Sequence, residues 1–315
     1  MYFKFQTFSL CLFLASLCYA QSSENPNIVF IFCDDLNASG LGITADPNVV
    51  TPNIDSLAAA GLTFYNAHSN STICGPSRAS VFTGLLPSSS GHFGLNMGFE
   101  SWEENPVLSQ TTTMFGHMRQ EGYKVYASGK IFHAGRNRPT DFDDHYQMPF
   151  QGPWAFERRS HSDLPEEFTD LRISMAPLES LPTYADGDDG WFVFGQGLPF
   201  FYESEDNRDL LGDELSALYC DSIFELHNNL DEQEPFFLTV GVHNPHSPFH
   251  VPQKYFNLYP LEDLDLTPYS IDSIEFAAAA FGNRMNSNSN MHIDGLMEAS
   301  PEEDPLLFLK KYMQG

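Results

Sequence analysis

Four short groups of residues carry the side-chain types that chemistry needs. Asp34-Asp35 sets two carboxylates side by side, hard oxygen donors suited to Ca²⁺ or Mg²⁺. Lys130 and His133 bracket Ile131-Phe132, pairing a fixed cation with a ring that titrates near neutrality. His243 and His246 stand at the same spacing in His243-Asn244-Pro245-His246. Cys74 opens the run Cys74-Gly75-Pro76-Ser77-Arg78, with Thr83-Gly84 beyond, and places a potential nucleophile one helical turn before a guanidinium. Singly, each group has a structural explanation: a solvated turn, a satisfied histidine, a buried thiol. Their common placement is what carries meaning.

That placement comes from the elements before them. Asn27-Ile28-Val29-Phe30-Ile31-Phe32-Cys33 is a continuous apolar run and predicts a central strand buried on both faces, ending at Asp34-Asp35. Tyr123 to Ala127 predicts a second strand, running into Ser128-Gly129-Lys130. Pro235 opens a third at Phe236 to Val240, which leads to His243. In a parallel sheet, ligands collect beyond the carboxyl ends of the strands, so the three polar groups converge on one edge. Between the strands, Thr51-Pro52 predicts a helix with Ile54, Leu57 and Ala58 on its inner face and a stop at Gly61. Thr111 to Gln120 predicts another. Asp209 to Leu226 predicts a longer amphipathic helix on Leu211, Leu215, Leu218 and Phe224. Alternating strands and helices imply the α/β class, with a mostly parallel central sheet flanked by helices. Arg136 to Asn207 reads as long surface excursions, and Leu261 to Pro305 as polar and irregular.

The bulk composition agrees. Of 315 residues, 42% are hydrophobic, with 28 Phe and 13 Tyr, enough for a sizeable core. Only 18% are charged, against disorder over most of the length, yet the formal net charge is -27. Such an acidic surface repels nucleic acid and anionic membrane and excludes both as partners. Residues 1–20 have the pattern of an export signal: Lys4, an apolar run from Phe8 to Leu17, and Cys18-Tyr19-Ala20 before Gln21. The run is too short to span a bilayer. Residues 21–315 are then expected to belong to one domain. Cys11 and Cys18 leave with the signal, and Cys33, Cys74 and Cys220 match no disulfide or zinc framework. An exported chain with an unpaired thiol poses the question of what that thiol does.

Cys74-Gly75-Pro76-Ser77-Arg78 with Thr83-Gly84 resembles the signature of the formylglycine-dependent sulfatase family, Cys-x-Pro-Ser-Arg-x-x-x-x-Thr-Gly. Chance agreement at all fixed positions is on the order of 10⁻⁵ at average residue usage. Supporting matches are Pro26-Asn27-Ile28 leading to Asp34-Asp35, and Thr51-Pro52-Asn53-Ile54-Asp55. Gly129-Lys130-Ile131-Phe132-His133, Pro245-His246-Ser247-Pro248-Phe249 and Tyr259-Pro260-Leu261-Glu262 look most like the iduronate-2-sulfatase branch. The likeness covers about residues 26–135 and 208–262.

The resemblance implies an alkaline-phosphatase-like sandwich and hydrolysis of a sulfate ester on a sulfated saccharide. It implies that a formylglycine-generating enzyme oxidises Cys74, and that Asp34, Asp35 and residue 74 hold Ca²⁺, with Mg²⁺ second. Arg78 is then expected to steady the nucleophile, Lys130 to pair with sulfate, His133 to act as base and His246 to contact sulfate and protonate the leaving oxygen. A secreted or periplasmic location follows, or a lysosomal one in an animal. One feature departs from the pattern: the family's further metal carboxylate and lysine have no match after residue 250, where His292-Ile293-Asp294 is the nearest candidate. The chain is therefore expected to be an amino-terminal part lacking its carboxyl-terminal portion, inactive alone. A phosphate or phosphonate ester hydrolase of the same superfamily, or a non-catalytic protein keeping the fold, are the alternatives.

Overall fold

The computed structural model describes residues 25–44, 46–94, 104–133, 139–147, 152–155, 176–181, 190–193, 198–230 and 234–265. The expected export segment, much of the stretch from Arg136 to Asn207 and everything after Asp265, His292-Ile293-Asp294 included, lie outside the described residues.

In chain order the strands are β1 (Ile28–Cys33), β2 (Lys124–Gly129), β3 (Asp144–Gln147), β4 (Trp154–Ala155), β5 (Trp191–Val193), β6 (Leu198–Pro199), β7 (Tyr202–Ser204), β8 (Asn207–Arg208) and β9 (Phe236–Val242). Four of them make an all-parallel sheet in the order β1-β9-β2-β3. The helices that bear on the site are α1 (Pro52–Ala60), α2 (Cys74–Thr83), α3 (Met114–Gln120) and α4 (Gly212–Asn228). One face of β2 and β9 packs Val125, Ala127 and Phe237 against Phe82 of α2 and Phe115 of α3, with Phe132 and Phe142 alongside. The other face sets Tyr126, Leu238 and Val240 against Cys220 and Ile223 of α4. Helices on both faces of a parallel sheet are the expected class.

β1 departs from the expectation of a strand buried on both sides. It lies at the sheet edge among the described residues, and Val29 and Ile31 are 43% and 57% exposed. Alternate side chains leave opposite faces of a strand. Ile28, Phe30 and Phe32 join the core, while the other set is uncovered by any described residue. An unbroken apolar run cannot distinguish the two positions.

Helix faces also differ from the reading of their apolar residues. α1 begins at Pro52 as expected, but none of its residues is buried. Thr51 does not cap it; its hydroxyl accepts the Gly42 N–H at 2.9 Å and donates to Asp55 at 2.9 Å. In α4 the buried stripe is Gly212, Ser216, Cys220, Ile223 and His227, while Leu218 is exposed. Small residues let the helix lie close on the sheet, and the Ser128 hydroxyl donates to the Ser216 carbonyl at 3.3 Å. The described parts of the stretch expected to be surface excursions add β3 to the central sheet and form β4 to β8, with a core of their own around Trp191, Leu178 and Phe200.

Two glycines bring the strand ends together. Gly129, at φ 79°, and Gly241 lie so close that a Cβ on either would strike the backbone carbonyl of Gly241 or Lys130. That approach lets the Lys130 N–H donate to the Gly241 carbonyl at 2.8 Å and carries the chain after β2 over the end of β9.

Candidate active site

The carboxyl ends of β1, β2 and β9 and the start of α2 meet at Asp34. Its N–H donates to the Val242 carbonyl at 2.9 Å, which locks the turn after β1 onto β9. Its side chain is 4% exposed. Arg78 Nη2 donates to Asp34 Oδ1 at 2.9 Å, and Lys130 Nζ donates to Asp34 Oδ2. The same guanidinium reaches across with Nη1 to the carbonyls of Lys130 and Ile131, the latter at 2.9 Å, and stacks over the Phe32 ring at 4.6 Å. One arginine thus ties three separate chain segments together. Burial pushes the Asp34 carboxyl up, but Arg78 and Lys130 outweigh it and hold it below the usual carboxylate range.

Two buried cations around one carboxylate leave a net positive charge, which suits an anion. Cys74, half-buried, is the first residue of α2, where helix N–H groups add to that field. Burial nevertheless pushes its thiol up, with Lys130 opposing and Asp34 reinforcing. A thiol held neutral is a weak nucleophile. His133 is pushed down by burial first and by Lys130 second, so its ring stays neutral and able to take a proton.

His246 and His243 stand with ring centroids 5.0 Å apart. The Ser247 carbonyl faces His246 Nδ1 at 2.7 Å and His243 Nε2 at 3.3 Å. A carbonyl only accepts, so both nitrogens carry the proton, and His246 Nε2 and His243 Nδ1 keep lone pairs. His243 is pushed down to about 4 by burial, then by Lys130 and His246. Its Nδ1 is buried without a hydrogen-bond partner.

Of the sequence-derived residues, Asp34, Arg78 and Lys130 are in direct contact, Cys74 and His133 feel their charges, and His246 stands beside His243. Asp35 is the outlier: it is exposed and sits at φ 64°, left-handed backbone that Asp tolerates better than most residues. A test of metal fit rests on donor geometry. One donor atom each from Asp34, His243 and His246 lies within 4.8 Å of the others, and the orphaned His243 nitrogen supplies a lone pair. The chemistry suits a divalent cation. His243, which the family resemblance gave no role, enters through this geometry; its spacing from His246 was the available signal.

The Sulfatase family model matches residues 26–277. A sulfatase from Formosa agariphila is 30% identical over 252 residues, covering 80% of this chain and 45% of that protein. Human iduronate 2-sulfatase is 30% identical over 267 residues, covering 82% of this chain and 44% of its own length. The chain thus spans less than half of these curated relatives. Among solved structures, the phosphonate monoester hydrolase of Agrobacterium radiobacter superposes at a TM-score of 0.55 with 17% identity, covering 92% of this chain and 56% of that one. That likeness is one of fold, the alkaline-phosphatase-like sandwich with a parallel sheet between helices. Motif, sheet-edge geometry and relatives converge, and the chain belongs to the sulfatase family.

Proposed function

We propose that this chain carries the nucleophile and anion pocket of a sulfuric ester hydrolase acting on a sulfated saccharide. The observation that carries the reading is the buried Asp34–Arg78–Lys130 cluster beside Cys74, a net positive group at the start of a helix. A sulfate ester bears a full negative charge that shields its sulfur. The pocket must neutralise that charge and aim a nucleophile at the same point. In this reading Cys74 is converted to formylglycine, whose hydrate supplies a hydroxyl to attack sulfur and a second to release sulfate. Asp34, with Asp35 from its exposed turn and residue 74, would hold Ca²⁺, which would offset developing charge.

The chain's own groups do the rest. Lys130 shares its ammonium between Asp34 and a sulfate oxygen. Arg78 does not swing free, since two carbonyls and Asp34 fix its fork; it orients the start of α2 and the carboxylate. His133, kept neutral by its surroundings, accepts the proton from the second hydroxyl. His246 contacts sulfate and, in its protonated form, donates to the leaving oxygen. A net charge of -27 disfavours approach along a polysulfated chain, so the reading favours a closed pocket for one terminal sulfated sugar. It also places the protein outside the cytoplasm, after removal of residues 1–20.

Expression beside an active formylglycine-generating enzyme tests the central step. Peptide mass spectrometry should show the aldehyde at residue 74, and Cys74→Ala should lack it with folding retained. Unmodified cysteine in every molecule, with the modifying enzyme confirmed active, overturns the reading. Parallel assays of a sulfate and a phosphonate ester separate it from a hydrolase of phosphorus esters.

A further inference from the structure

Asp213 lies in the first turn of α4, where a carboxylate would ordinarily serve the helix's own free N–H groups. It does not serve them. Glu214 takes that part: its Oε2 accepts the Leu211 N–H at 2.8 Å, while both of its oxygens hold Arg208 at 2.7 Å. Asp213 turns away from its own element. Its Oδ1 accepts the backbone N–H of His243 at 2.8 Å, and its Oδ2 accepts that of Asn244 at 2.9 Å. Two consecutive amides just past the end of β9 are thereby gripped by one carboxylate.

The grip continues into the histidine turn. The His246 N–H donates to the His243 carbonyl at 3.0 Å, closing the turn that the two gripped amides begin. Ser247 then fixes both rings through its carbonyl. α4 is anchored independently, through its buried stripe and the Ser128–Ser216 contact, so Asp213 transmits the position of a packed helix to a loop. We propose that Asp213 is a positioning residue that sets His243 and His246 against Asp34, acting through backbone amides without touching substrate. The positioning role rests on the reading of His246 as a sulfate contact; the clamp itself does not.

Only a carboxylate presents two acceptors to two adjacent donors. The isosteric Asp213→Asn offers one oxygen and turns an NH₂ towards the other N–H, donor against donor. The test uses the 315-residue chain, with amide hydrogen exchange and inorganic sulfate titration as separate readouts. In Asp213→Asn and Asp213→Ala, exchange at His243 and Asn244 should quicken by about tenfold or more, the loss expected for charge-assisted bonds. The amide of Leu238, at the centre of β9, should keep its rate. Inorganic sulfate should bind about tenfold more weakly in both variants. Unchanged exchange at His243 and Asn244 overturns the clamp, and so does equal acceleration along the whole of β9. Faster local exchange with unchanged sulfate affinity overturns the positioning role. A wild-type chain without sulfate affinity counts against the proposed anion pocket, while exchange alone still decides the clamp.

Discussion

Helices α1 and α2 make an instructive pair. α1 has Pro52 at its head and three alanines at its end, without a side-chain cap, yet it buries nothing. α2 has no side-chain cap and holds a glycine and a proline in its first turn, yet Gly75, Pro76, Arg78, Ala79, Ser80 and Phe82 are all buried. Around α1 the surface is apolar and uncovered by described residues: Leu57 is 70% exposed and Leu62 81%. Around α2 everything is tied, by Arg78 to two other segments and by Phe82 to Phe32, Phe115 and Phe132. Helix propensity therefore does not decide which helix builds the site. Charge and packing from the strand ends do.

The sharpest way to break this contrast is to remove its central tie. Arg78→Ala should cost about 3–5 kcal/mol, because it leaves Asp34 buried with one cation fewer and two carbonyls without a donor. Denaturant midpoints at constant m-value would measure it, and a loss below 1 kcal/mol, roughly the size of a surface pair, would mean the tie is ornamental. Gly129→Ala comes next, at about 1–3 kcal/mol, since it forces a side chain into left-handed backbone against the Gly241 carbonyl. Thermal unfolding should register this loss, whereas Gly84→Ala, equally left-handed but in open space, should cost less.

A titration sharpens the comparison from the other face of the sheet. His227, buried at the end of α4 against Tyr126 and Phe236, is pushed down by burial. Because its folded value lies below the unfolded one, its stabilisation is present above about pH 6.5 and is lost as pH falls. Stability should decline from about pH 7.5 to about 5.5, by less than about 1.4 kcal/mol per unit for this group. His227→Gln should flatten part of that slope; an unaltered slope would show the ring to be indifferent. The smallest effect belongs to α1. Leu57→Ala should change stability by no more than about 0.5 kcal/mol, and a loss near 2 kcal/mol would show this helix to be packed after all.

By itself the sequence determined the parallel α/β architecture, because apolar runs and helical periods alternate along the chain. It also determined which strand ends carry ionisable side chains, because Asp34, Lys130 and His243 each follow on a strand. The Cys74 motif was legible for the same reason: its residues are contiguous, so their spacing is their geometry. What lies between segments was not legible. Only the tertiary structure placed β1 at the edge, since an apolar strand looks alike wherever it pairs. It alone chose Ser216 and Cys220, not Leu218, as the inner stripe of α4, since close helix–sheet approach selects small residues. Asp213 gave no sign of reaching His243 and Asn244, because a side chain gripping backbone amides far along the chain needs no matching residue there. Local order follows from residue types in succession; contacts between distant segments depend on which faces the folded chain brings together.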